Sequence, residues 1–230
     1  MSYLQRIKYL VRHHGPKAVA AKCLGLVGDR WFDWRHGVDN NTPLQLDSYT
    51  IVGESRQNAT SYGASRFLPL RRLFRLLRER LPGEGVFVDF GCGNGKVLLV
   101  AAYCGVRRVR GVEFARELCN LAKANWARFC ARTGTAPASG EFFEGDVATY
   151  ACQPDETMYF IYNPFDKVIL EKVLANLNAS LHAHPRPLAI IICNPDEIYQ
   201  RVMREHPEFP LVQTPRFWGY PFFIYMNQPG

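Results

Sequence analysis

From residue 86 onward the chain alternates two hydrophobic periods. VFVDF (86–90), RVRGVEF (108–114), GEFFEGD (140–146), TMYFIYNPF (157–165) and PLAIIICN (187–194) are short runs rich in β-branched and aromatic residues, the mark of strands buried in a parallel sheet. Between them, residues 95–105, 115–132, 166–182 and 196–206 place apolar side chains at helical spacing, with Asn194-Pro195 read as the cap and first residue of the last helix. LVQTPRFW and YPFFIYMN close the chain as two strand-like runs joined at Trp218-Gly219, an antiparallel pair. Upstream, Leu70, Leu73, Phe74, Leu77 and Leu81 predict a helix over 69–81 that ends at Pro82-Gly83. At the start, Tyr3, Leu4, Ile7, Leu10 and Val11 form an apolar stripe opposite Arg6, Lys8 and Arg12. Gly15-Pro16 breaks that pattern, a second short helix runs to Leu26, and residues 28–63 read as irregular. That stretch is rich in turn formers yet carries Trp31, Phe32, Trp34, Tyr49 and Tyr62, the composition of a lid or binding surface.

Alternating strands and helices imply an α/β fold, a doubly wound, seven-stranded, mostly parallel sheet with an antiparallel C-terminal strand pair. An N-terminal helical and aromatic cap over residues 1–64 precedes the main domain, 65–230. Composition agrees: 230 residues, 47% apolar and 13% aromatic, suffice for one elaborated core and exclude a disordered tail, a collagen repeat and a coiled coil. The net charge of +7 is local. Residues 1–28 hold five cations and no acid, residues 66–80 hold six arginines against Glu79, and the remainder is net acidic, which argues against a nucleic acid partner. Seven cysteines without a C-x-x-C pair, Cys119 and Cys130 among them on one helical face, point to a reducing, cytoplasmic compartment. No apolar run approaches the ~18 residues of a membrane span, and the N-terminus lacks a secretory signal. Its basic amphipathic helix reads as a packed helix with a solvated face or as a peripheral membrane contact.

Chemistry concentrates in VFVDFGCGNGK (86–96). Gly91, Gly93 and Gly95 occupy the turn between a buried strand and a helix, where the backbone must turn tightly and approach a ligand closely. Asp89 precedes that turn and opposes a pyrophosphate, so a nicotinamide dinucleotide is disfavoured and a cationic ligand favoured. Glu113 ends the next strand, placed to accept from the two hydroxyls of a ribose. Asp146 follows the third strand, and Asn163-Pro164-Phe165 follows the fourth. His182 and His184 have no partners at metal-ligand spacing, so no metal site is expected.

These residues resemble the class I S-adenosylmethionine-dependent methyltransferases over roughly residues 60–228. DFGCGNG is similar to that family's first motif, Glu113 to its ribose-binding acid, and GDV (145–147) to its adenine-side motif. The resemblance implies S-adenosylmethionine as cofactor, bound by Asp89, Gly91, Cys92, Gly93, Gly95, Glu113, Phe114, Asp146, Val147 and Asn163. IYNPF resembles the fourth motif with one proline in place of two, which leaves Asn163 a pocket residue of open role. WFDWRHGVD and the following SYGASRFLPLRRLF are similar in layout to a bacterial methyltransferase branch with an F-D-R-R-x-G-V-D-T segment. They also resemble the seven-strand protein-lysine methyltransferases, in which Tyr62 and Ser65 would line the methionine end. Asn163 and Tyr62 are therefore the catalytic candidates, with Asp166, Glu54 and His36 as possible bases. An aromatic lid favours a small-molecule acceptor. A protein-lysine acceptor, or a methyltransferase-like binding or scaffold module, is the alternative.

Overall fold

The computed structural model describes residues 15–40, 50, 65–78, 85–162 and 165–227. The predicted N-terminal stripe, Tyr49, Glu54, Tyr62, Pro82-Gly83, Asn163 and Pro164 lie outside them. In chain order the elements are α1 (Pro16–His36), α2 (Phe67–Arg78), β1 (Val86–Phe90), α3 (Lys96–Tyr103), β2 (Val109–Glu113), α4 (Arg116–Thr133) and β3 (Gly140–Glu144). They continue with β4 (Glu156–Ile161), α5 (Lys167–Ala183), β5 (Ala189–Cys193), α6 (Glu197–Arg204), β6 (Leu211–Gln213), β7 (Arg216–Phe217) and β8 (Tyr220–Met226).

The sheet order is β3-β2-β1-β4-β5-β8-β6, with β7 paired to β8 alone. β1 to β5 are parallel, and β8 runs antiparallel to β5 with Cys193 opposite Phe222. The direction of winding reverses between β1 and β4, and the crevice outside the strand ends at such a reversal is where open α/β sheets bind ligands. Alternation along the central strands divides the core into two layers. Phe87, Phe160 and Ile191 pack with Phe32, Phe67 and Phe74. Val88, Tyr159 and Ile190 face Leu170, Val173 and Tyr199 on the other side. Strands covered on both faces favour apolar residues throughout, which is why β5 reads as a continuous apolar run and β1 departs from one only at Asp89.

Three expectations are corrected. Residues 28–36 are not irregular: α1 runs for 21 residues to His36 and closes on Gly37. Gly28 is no breaker here, because α2 crosses α1 at that point; a Cβ on Gly28 would lie 3.0 Å from Leu68 Cγ. Phe32 is consequently core, stacked on Phe67 with centroids 4.8 Å apart, and not part of a lid. The cap of α6 is Asp196, whose carboxylate accepts from Tyr199 N at 2.8 Å, rather than Asn194. The run 211–218 divides at Thr214-Pro215 into β6 and β7, both paired to β8; the turn at Trp218-Gly219 has positive φ at both residues, as a tight hairpin requires. No described helix is long and apolar enough to cross a membrane.

Candidate functional site

The glycine turn joins β1 to α3 at the carboxyl edge of the sheet. Gly91, Gly93 and Gly95 have φ of 76°, 54° and 83°, a region that side-chain-bearing residues seldom adopt. The turn is held by Gly91 N and Cys92 N, which both donate to Val112 O, and by Gly95 N, which donates to Cys92 O. Glu113, at the end of β2, accepts from Gly93 N at 2.8 Å and from Ala115 N at 2.9 Å. Burial pushes its carboxyl above the usual range, while these backbone donors pull it back.

Asp89 is the opposite case. It is 3% exposed, and no backbone N–H of the described turn is bonded to its carboxylate as Gly93 N is to Glu113. Burial, and then the neighbouring Glu113, hold its pKa well above the ordinary value. Two carboxylates therefore stand at adjacent strand ends, one supported by backbone N–H groups and one not. Cys92 lies buried beside them; burial and both acids keep its thiol protonated, so it lines the turn without nucleophilic character. Phe114 is half-buried at the same edge. Asp146 caps a short 3-10 turn over Val147–Thr149, accepting from Ala148 N at 2.9 Å, and Val147 is buried against the α5 side of the core.

The end of β4 brings Tyr162 near Cys193, Tyr220 and Arg66; burial first, then the first two of these, push its phenol up to about 12. Phe165 is buried, and its carbonyl accepts from Tyr199 OH at 2.6 Å. Asp166 is committed to capping α5 through Ile169 N. His36, one of the candidate bases, is not at the cleft. Its Nδ1 lies 2.9 Å from Phe32 O within a cage of Phe32, Tyr103 and Phe129, and burial lowers its pKa, so it is a neutral core histidine. The two catalytic candidates, Asn163 and Tyr62, lie outside the described residues, as does Glu54.

Sequence reasoning missed a set of polar residues that fasten α1 to the turn. Asp29 accepts from Lys96 Nζ and Phe67 N through Oδ1, and from Arg66 Nη1 through Oδ2, each at 2.8 Å. Asn125, fully buried on α4, donates to Asp39 O and Asn94 O and accepts from Asp39 N. One signal was available: on a helical wheel for 16–36, Asp29 and Asp33 fall on the same side as Phe32 and His36, and acids on an apolar face need buried partners. On the other side of the turn, Thr50 N donates to the Glu117 carboxylate and Arg116 N donates to Thr50 O, just past Glu113.

A cavity of about 440 Å³ opens between α1, Arg66, Pro69 and the Trp218–Tyr220 turn, with Lys22 and Arg66 among its lining. It shares the carboxyl edge of the sheet with the glycine turn, since β8 begins opposite the end of β5. A larger cavity, about 630 Å³, lies between Asn178, Pro207 and Asn227, near the start of β5 and away from the turn. Among the described residues no group of three His, Cys, Asp or Glu is placed to hold a metal ion.

Comparison with known proteins adds two findings. Residues 58–154, less than half of the chain, match the family model for the histone methylation protein DOT1. No curated protein matches the sequence. Among solved structures the fold is widespread. An RNA methyltransferase from Salinibacter ruber, solved with S-adenosyl-L-homocysteine, aligns at TM-score 0.50 and 18% identity over 69% of this chain and 89% of its own. A magnesium protoporphyrin IX methyltransferase from Synechocystis PCC 6803, with bound cofactor, aligns at 0.50 and 17% identity over 69% and 78%. These neighbours are class I methyltransferases, and at such identities the likeness establishes a shared Rossmann-like fold.

Proposed function

We propose that the protein is an S-adenosylmethionine-dependent methyltransferase acting on a small-molecule acceptor. The observation that carries this reading is Asp89. A carboxylate buried to 3% exposure beside a second acid is costly unless a cation completes it. S-adenosylmethionine brings an ammonium group and a sulfonium, whereas a dinucleotide brings a pyrophosphate that Asp89 and Glu113 repel. Glu113 keeps lone pairs beyond the two it gives to Gly93 N and Ala115 N, enough to accept from ribose hydroxyls. In this reading the three glycines let the ligand approach the backbone. Cys92, Phe114 and Val147 line the adenosine, Asp146 faces the adenine end, and Asn163 and Tyr62 remain the catalytic candidates. Bound there, the cofactor supplies a methyl group already activated by its sulfonium. The protein's own task is then to hold the acceptor about 3 Å from that carbon and to exclude water.

The cavity beside Arg66 has the size of a small-molecule site and lies at the same edge as the turn, which supports a small acceptor. The match to a protein-methylating family over 58–154 supports a second reading, a protein acceptor. Isothermal titration with S-adenosylhomocysteine, run beside NAD and an Asp89→Ala/Glu113→Ala variant, tests the cofactor. Micromolar binding that the variant loses is expected; a folded chain that ignores the ligand sinks the enzyme and leaves a scaffold role. Labelled methyl donor in cell extract then separates the acceptors, by label in the small-molecule filtrate or in precipitated protein.

A further inference from the structure

α1 presents two incompatible faces. Inward it carries Phe32, Asp29, Asp33 and His36, all buried. Outward, Leu24, Val27, Trp31 and Trp34 recur at helical spacing as one stripe, 58%, 64%, 43% and 75% exposed. Arg30 and Arg35, both exposed, fall on the two shoulders of that stripe. The helix has only two acids, and both are turned inward and held, Asp29 by Lys96 and Arg66 and Asp33 by Asn40 Nδ2. The neighbouring α2 exposes Arg72, Arg75 and Arg78 and has no acid among its described residues. Arg132, from the end of α4, donates to the carbonyls of Trp34 and Arg35.

We propose that this face of α1 seats on an anionic lipid bilayer, lying in the plane of the interface. The stripe supplies apolar side chains with tryptophans suited to the headgroup boundary, and the shoulder arginines reach outward from it to lipid phosphates. Charge decides the occupant. A second copy docked by the same face would set Arg30 and Arg35 against their own kind, whereas an acidic leaflet complements every exposed charge on α1 and α2. Lys22 and Gly25, which line the cavity beside Trp218, lie on the side of α1 away from the stripe, so docking leaves that cavity uncovered. The inference rests on the outer faces of α1 and α2 and does not depend on methyl transfer.

Flotation of the full chain with vesicles of phosphatidylcholine, or of equal parts phosphatidylcholine and phosphatidylserine, tests it. Binding to the second alone, weakened by salt, is expected. Val27→Glu/Trp34→Glu, two exposed positions whose change leaves the core intact, should lower the bound fraction about 10-fold or more with S-adenosylhomocysteine affinity unchanged. The proposal is overturned if the intact folded chain stays off acidic vesicles, or if the double variant floats equally well. It is equally overturned if the intact chain is a dimer that the double variant splits without any vesicle binding. Vesicle binding without affinity for S-adenosylhomocysteine would support the docking and remove the methyltransferase reading.

Discussion

Lys96 Nζ lies 2.8 Å from Asp29 Oδ1, with both side chains all but closed to solvent. The first residue of the helix after the glycine turn is thus neutralised by a helix far upstream in sequence. Asp29→Ala leaves that ammonium buried and unpaired and frees Arg66 from its anchor, a loss of about 3–5 kcal/mol by the measured cost of breaking such pairs. Denaturant unfolding should show it, with a melting temperature roughly 6–20 °C lower. An Asp29→Leu/Lys96→Met pair removes both charges together and should recover a large part of the loss.

Asp89 makes stability depend on pH in a direction that can be worked out. Its folded pKa stands above the unfolded one, so its stabilising share is complete below the ordinary carboxylate range and is lost as pH rises through the raised value. Asp89→Asn cannot ionise. The melting advantage of this variant over the natural free chain should therefore grow as pH rises above the ordinary carboxylate range. At neutral pH the same variant should lose about 10- to 100-fold in affinity for S-adenosylhomocysteine, the value of a charge-assisted hydrogen bond to its ammonium. Identical pH profiles for the two proteins would refute the assignment of this titration to Asp89.

Glu156 offers the converse, a buried acid with a structural task. Fully enclosed, it accepts from Arg110 Nη1, Tyr150 OH, Tyr159 OH and Gln153 N. It lies at the amino edge of the sheet, at the opposite end of β4 from the cleft. Glu156→Gln should cost about 3 kcal/mol, the low end for a broken buried pair because Arg110 retains Glu141. S-adenosylhomocysteine affinity, measured on the variant while it is still folded, should be unchanged.

The parallel strands were legible because burial on both faces leaves no polar alternation to confuse with a helix. The glycine turn was legible because its three left-handed residues have to be glycine. The continuation of α1 past Leu26 and through Gly28 was not: glycine breaks helices by local propensity, and only the crossing of Leu68 over Gly28 reverses that reading. His36 looked like chemistry because a histidine in a turn-rich segment is usually exposed, whereas here the aromatic cage around it is assembled from α1, α3 and α4. Asp166 and Asp196 were open to local reading as caps, each three residues before the N–H it accepts from. The partners of Asp29 and Asn125 left no periodic trace, since a contact between distant segments has no signature in either segment alone. Asn163 and Tyr62, the two catalytic candidates, lie outside the described residues.

The tie from Asp29 to Lys96 spans 67 residues of chain, and that from Asp39 to Asn125 spans 86. During synthesis, at roughly 5–20 residues per second, α1 leaves the ribosome about 3–13 seconds before the ammonium that neutralises it. Over that interval Asp29 has at most Arg66 and Phe67 N, which follow it by 37 and 38 residues, and the inner side of α1 lacks the α3 and α4 side chains it packs on. The inner face of α1 is thus completed only once the glycine turn itself has been made.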